Sequence, residues 1–196
     1  MVDIALFHSV LGLRHGIEDA ASRLGAAGHS VTTVDQYGGR VFDDYGEAEA
    51  YRESVGWPTL MQRALDGVAN LPDGFVVLGF SNGGGMAEYV AAHRRVSGAI
   101  LCSGTLPLEM LGVDAWPAGV PVQIHSMVDD PFRRQAWTDA VVGAIEEAGA
   151  EAQMFEYQGA GHLFTDSTRP TEYDAEAAEL LWERVVAFCA QPRAAI

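Results

Sequence analysis

Six short apolar runs, at residues 2–8, 30–34, 75–80, 98–102, 120–125 and 151–157, constrain this chain more than any other feature. Each is nearly continuous in apolar residues rather than alternating, which is the pattern of strands buried on both faces. Between them lie stretches of helical periodicity, at 15–27, 59–69, 84–94, 132–148 and 172–189. Gly28 and Gly149 stand where helix C-caps belong, because glycine readily takes the left-handed conformation that ends a helix. Strands alternating with helices predict an α/β fold: a doubly wound, mostly parallel sheet with helices on both faces. The 196 residues suit a single domain, 1–196. The acidic stretch 43–53 fits either an exposed loop or a short extra helix.

Charge narrows the function classes. The net charge is −15, and all 12 basic residues are arginine. Such a surface repels phosphate backbones and anionic lipid, so neither nucleic acid nor a membrane is an expected partner. The absence of lysine removes Schiff-base chemistry and the phosphate-binding lysine of a P-loop. No segment has the length of a membrane span, and the N-terminus opens on a strand-like run without a basic leader. Cys102 and Cys189 read as small core residues in a reducing compartment, which predicts a cytoplasmic protein. No cluster has metal-ligand spacing, and neither a metal nor another cofactor is expected. Glu172, Asp174, Glu176, Glu179 and Glu183 read as the solvated face of the last helix. None of these patterns bears on oligomeric state.

In a parallel sheet, ligands bind beyond the carboxyl ends of the strands, so the residues just after each run matter most. Gly79-Phe80-Ser81-Asn82-Gly83 follows one buried run and precedes a helical stretch. A serine on a sharp strand-to-helix turn needs small neighbours, and the helix start aims N–H groups at developing negative charge. A serine hydroxyl needs a base, and the base needs an orienting carboxylate. His162, in Gly159-Ala160-Gly161-His162-Leu163-Phe164, is the only histidine beyond residue 125 and supplies the base. Asp129 and Asp130 both follow the run 120–125, and spacing does not choose between them. His8 and His125 end strands beside this site and are candidates for substrate contact, although strand-end histidines more commonly satisfy local backbone groups. Ser9 is a further candidate pocket residue. Trp57, Trp116 and Phe80 each fit either an apolar pocket wall or the core, with Trp116 reading better as wall and the other two better as core.

These blocks resemble the dienelactone hydrolase family, a branch of the α/β-hydrolases. The resemblance runs over nearly the whole chain: Leu11-Gly12-Leu13, the stretch from Asp35 to Arg40, the serine turn, the stretch from Pro121 to Phe132, and the histidine block through Asp166. It implies an α/β-hydrolase fold without a large cap domain, and hydrolysis of a small-molecule ester or lactone. It places the triad acid on Asp130, and the oxyanion-binding backbone N–H groups on Val10 and Asn82. Two positions depart from the family pattern. The namesake enzymes use cysteine where Ser81 stands, with a glutamate at the position of Ser9. They also carry an arginine shortly after the histidine, where this chain has Asp166; an acid beside the pocket would repel an anionic substrate. The same triad would also serve a thioesterase or acyltransferase, and a hydrolase-like fold that binds a ligand without turnover belongs to a third class.

Overall fold

The computed structural model describes residues 1–191; residues 192–196 of the expected domain lie outside the described residues. Six strands form one sheet: β1 (Asp3–Phe7), β2 (Ser30–Val34), β3 (Phe75–Phe80), β4 (Val96–Cys102), β5 (Val122–Met127) and β6 (Ala152–Tyr157). Their order is β2-β1-β3-β4-β5-β6, and every neighbouring pair is parallel. Six α-helices accompany them: α1 (His15–Ala26), α2 (Tyr45–Val55), α3 (Trp57–Gly67), α4 (Asn82–His93), α5 (Gln135–Glu147) and α6 (Ala175–Ala190).

Alternate residues of each central strand point to opposite faces, which divides the apolar side chains into two cores. Ile4, Leu6, Val76, Leu78 and Ile100 pack against Ile17 and Leu24 of α1 and against Leu181, Trp182 and Val185 of α6. Ala5, Phe7, Val77, Ala99 and Leu101 pack against Leu60 of α3, Met86 and Val90 of α4, and Val141 of α5. This is the doubly wound parallel sheet that the apolar runs predict. Among the described residues no helix is long and apolar enough to cross a membrane. Cys102 and Cys189 are both buried and are not bonded to each other.

Several boundaries differ from expectation for physical reasons. The acidic stretch is a helix, α2, capped by Asp44, whose side chain accepts the Glu47 N–H. Gly56, at φ +80°, turns the chain directly into α3, which therefore starts at Trp57 rather than at residue 59. β4 begins two residues early, through a register shift opposite Phe75 and Val76. α5 begins at Gln135 and α6 at Ala175, three residues later than the periodicity suggests in each case. The displaced residues, Phe132 to Arg134 and Glu172 to Asp174, form turns beside the site.

Candidate active site

Because all strands run the same way, their carboxyl ends share one edge of the sheet, and the candidate residues gather there. Ser81 leaves β3 at φ 52°, ψ −117°, a conformation that L-residues rarely adopt. The turn is held from both sides: the Ser81 N–H donates to Cys102 O at 2.7 Å, and Ser81 O accepts from Gly84 N at 2.8 Å. It closes only because its neighbours lack side chains. A Cβ on Gly79 would lie 1.9 Å from Gly83 O, and one on Gly104 would lie 2.5 Å from Ser81 O.

Ser81 Oγ lies 2.7 Å from His162 Nε2, and His162 Nδ1 lies 2.7 Å from Asp130 Oδ2. With Nδ1–H donating to the carboxylate, Nε2 is left to accept the Ser81 hydroxyl proton. Asp130 Oδ1 accepts the Phe132 N–H at 2.8 Å, so both carboxylate oxygens are engaged. This second bond explains the late start of α5, since the residues after Asp130 turn back to cap its carboxylate. His162 and Asp130 are buried, whereas Asp129 is exposed and joins the arrangement only through its N–H to Gly159 O at 2.9 Å. The geometry therefore brings Asp130, not Asp129, to the histidine. Val10 and Asn82 line the same cavity as Ser81, and Asn82 opens α4, where a helix leaves its first N–H groups without internal acceptors.

A cavity of about 490 Å³ opens over Ser81. Its apolar walls come from Trp57 of α3, Trp137 of α5, Leu106 and Met110 after β4, Phe132, and Ile124 of β5. The strand-end segment from Ser103 to Leu106 forms one side and is tied down twice. Glu88 of α4, fully buried, accepts the Leu106 N–H at 2.9 Å, and the Thr105 and Thr138 hydroxyls lie 3.1 Å apart. Burial pushes the Glu88 carboxyl well above the usual carboxylate range.

Of the other candidate pocket residues, only His125 lines this cavity. Its Nε2–H donates to Gln123 Oε1 at 3.2 Å, and its Nδ1 accepts from the Tyr157 hydroxyl at 2.8 Å. Burial, helped by the nearby Arg184 charge, lowers its pKa to about 3, so it is a neutral wall at ordinary pH. His8 is fully buried outside the cavity. It bonds Ser9 O at 2.7 Å and accepts the Gln36 N–H at 3.1 Å, which is local backbone satisfaction. Ser9 turns its hydroxyl to the Leu11 N–H at 3.2 Å. Phe80 packs in the core, 6.2 Å from the Trp182 ring. Trp116 is also core, its indole N–H donating to Val120 O at 2.8 Å, while Trp57 forms cavity wall. The two tryptophans thus exchange the roles expected of them.

Asp166 corrects a second expectation. Its carboxylate accepts from the Thr168 N–H and hydroxyl at 2.9 and 2.6 Å, and lies 3.8 Å from Arg14 Nε. It does not line the cavity over Ser81, so it does not set the charge there. The charged residues that line the cavity are of both signs: Arg52, paired with Glu49 and 4.9 Å over the Trp57 ring; Arg133, paired with Glu156; Arg134, exposed; and Asp130 of the hydrogen-bonded line. Repulsion of anions by Asp166 is therefore not a feature of this site.

A parallel six-stranded sheet with a strained serine turn at the end of a central strand defines an α/β-hydrolase fold. The chain belongs to the dienelactone hydrolase family, whose model matches residues 2–192. Among curated proteins it is similar to one from Saccharolobus solfataricus provisionally named a carboxymethylenebutenolidase, at 29% identity over 113 residues. That match covers 58% of this chain and only 42% of the relative's length. Among solved structures it is similar to a dienelactone hydrolase-like promiscuous phosphotriesterase from metagenomic libraries, with a TM-score of 0.79 and 21% identity over 96% of this chain and 85% of that one. A thermophilic esterase from the Planctomycetes species Thermogutta terrifontis matches with a TM-score of 0.65 and 16% identity, over 95% and 83% of the two chains. At these identities the structural likeness speaks for the fold alone.

Proposed function

We propose that the protein is a serine hydrolase that cleaves the carboxylic ester or lactone bond of a small, largely apolar molecule, acting in the reducing cytoplasm. One observation carries this reading: the unbroken Ser81–His162–Asp130 hydrogen-bonded line at the base of a cavity. Ser81 Oγ attacks the substrate carbonyl carbon as His162 Nε2 takes its proton. Asp130 holds the imidazole in the required tautomer and stabilises the imidazolium that forms. The Val10 and Asn82 N–H groups stabilise the oxyanion of the tetrahedral intermediate. His162 then protonates the leaving oxygen, and a water deprotonated by His162 cleaves the acyl-enzyme. Serine in place of the family's cysteine fits this scheme, because a hydroxyl is not stored as a stable anion and needs an ordinary general base.

Membership of the dienelactone hydrolase family supports the reading, as does the apolar wall of Trp57, Trp137, Leu106 and Met110. The test is intact-protein mass spectrometry after treatment with a fluorophosphonate. One adduct is expected on the wild type and none on Ser81→Ala. No adduct on the wild type sinks the proposal and leaves a ligand-binding protein; an adduct that survives the substitution sinks it by putting the reactive group somewhere other than Ser81. Matched esters and thioesters separate the rival chemistry, since a strong thioester preference in kcat/KM would make the protein a thioesterase.

A further inference from the structure

Glu172 lies on no regular element, yet its carboxylate joins the His162 loop just before it in sequence to Tyr45 of α2, which is far away in sequence. Oε2 accepts the Leu163 N–H at 2.8 Å, from the residue next to His162, and also the Tyr45 hydroxyl at 2.9 Å, from the first residue of α2. Oε1 accepts Arg169 Nε–H at 2.5 Å. Charge-assisted bonds of this kind are among the stronger ones a side chain makes, and here the side chain is only 13% exposed.

The contacts reach the catalytic ring by two routes. Along the backbone, the histidine loop lies directly on Glu172: a Cβ on Gly161 would be 2.0 Å from Glu172 O. Through side chains, the Tyr45 ring meets the His162 ring edge-on at 6.0 Å and the Phe132 ring at 5.0 Å, and Phe132 lies 4.7 Å from His162. Arg169 sits 4.7 Å over the Tyr45 ring and donates to Asp43 O at 3.2 Å. The imidazole thus meets two aromatic rings that also meet each other, and the hydroxyl of one of them is held by Glu172. Burial, reinforced by the adjacent Glu172 charge, pushes the Tyr45 phenol well above its ordinary range, so it stays a neutral donor. α2 is also cavity wall, through Tyr45, Glu49 and Arg52.

We propose that Glu172 is a positioning residue that locks helix α2 and the His162 loop into one unit, so that the seating of the cavity wall sets the alignment of the general base. The proposal rests on the serine hydrolase reading above. A group that acts on the alignment of the base changes turnover, and the reactivity of Ser81, more than ground-state binding.

The experiment compares Glu172→Ala, Glu172→Gln and Tyr45→Phe with the wild type, by steady-state hydrolysis of a p-nitrophenyl ester and by the second-order rate of fluorophosphonate labelling. For Glu172→Ala, kcat is expected to fall about 100-fold with KM within about threefold, and labelling to slow by the same factor. Glu172→Gln retains an oxygen for Leu163 N–H and the Tyr45 hydroxyl but sets an amide NH2 against Arg169 Nε–H, and is expected to recover part of the loss. Tyr45→Phe keeps the ring and loses only the bond to Glu172, and is expected to lower both rates about tenfold. If Glu172→Ala fails to fold, as a melting curve would show, Tyr45→Phe decides alone. Unchanged kcat and labelling in Tyr45→Phe and in any folded Glu172→Ala, or a rise in KM alone, overturns the proposal. A wild type that is not labelled overturns the hydrolase reading, and this proposal falls with it; a labelled wild type with unaffected variants overturns only the positioning role.

Discussion

Gly104→Ala offers a direct measure of how tightly Ser81, the proposed nucleophile, is held. The added Cβ would lie 2.5 Å from Ser81 O and 2.8 Å from both Ser81 C and Ser81 Cα, all backbone atoms. Ordinary van der Waals contact starts at 3.4 Å, so the nearest approach is about 0.9 Å too close. Gly104 has no positive φ, so the effect comes from space alone. Ser81 cannot simply retreat, because its N–H is bonded to Cys102 O and its carbonyl to Gly84 N. If the two segments share the displacement, Ser81 moves by about half an ångström, enough to stretch its 2.7 Å bond to His162 past good geometry. A loss of about 10- to 100-fold in kcat/KM is expected, with a stability cost of about 1–3 kcal/mol from overpacking. Gly143, in the middle of α5, is the control, since a Cβ there meets nothing within 4 Å. Gly143→Ala should leave activity unchanged and stabilise the protein by about 0.5–1 kcal/mol through helix propensity. Ester hydrolysis and urea unfolding of the two variants make the comparison. A Gly104→Ala enzyme within threefold of wild-type activity, with an unshifted urea midpoint, would refute the claim that this contact holds the serine.

Two further outcomes follow from the site. Asp130→Asn should lower kcat by about 10³–10⁴, because an amide no longer fixes the productive histidine tautomer, whereas Asp129→Asn should stay within about twofold of wild type; the reverse ranking in a kcat assay would move the acid to Asp129. His125 gives the fold a pH dependence, because its pKa drops from 6.5 to about 3 on burial. Below pH 6.5 the unfolded chain takes up a proton that the folded chain refuses, so this histidine's contribution to stability is present above pH 6.5 and is lost as pH falls towards 3. The slope is about 1.4 kcal/mol per pH unit at most, and urea titrations at pH 7 and pH 5 should show it reduced in His125→Gln; equal slopes would contradict the assignment.

The sheet was legible in the sequence because strands buried on both faces leave an unmistakable apolar record, and no tertiary accident erases six of them. The serine turn, His162 and the choice of strand ends were legible for the same reason, since parallel topology dictates where ligands sit. Helix starts were less so. Asp130 stands just before one stretch of good helical periodicity and Glu172 opens another, yet their carboxylates are spent on His162 and on Leu163, Tyr45 and Arg169, and the chain turns to serve those bonds instead. Read as a solvated helix face, Glu172 gave no sign of this. The cavity walls were hidden in another way. Trp57 and Trp116 are the same residue type, and only the packing of α3 decides that one faces substrate space and the other the core. Asp166 shows the same limit, because a residue four positions after His162 can still point away from it.

The all-parallel sheet has a last consequence, for the order in which reactivity and structure arise. Val10, Ser81, Asp130 and His162 follow β1, β3, β5 and β6, so the groups of the proposed site are drawn from almost the full length of the chain. No short local fragment holds two members of the hydrogen-bonded line, and long-range closure of this kind is slow in folding. On the serine hydrolase reading, a partly unfolded chain is expected to be unreactive towards esters, and fluorophosphonate labelling then doubles as an assay of native population: the labelled fraction in a refolding time course counts molecules whose last strand has docked.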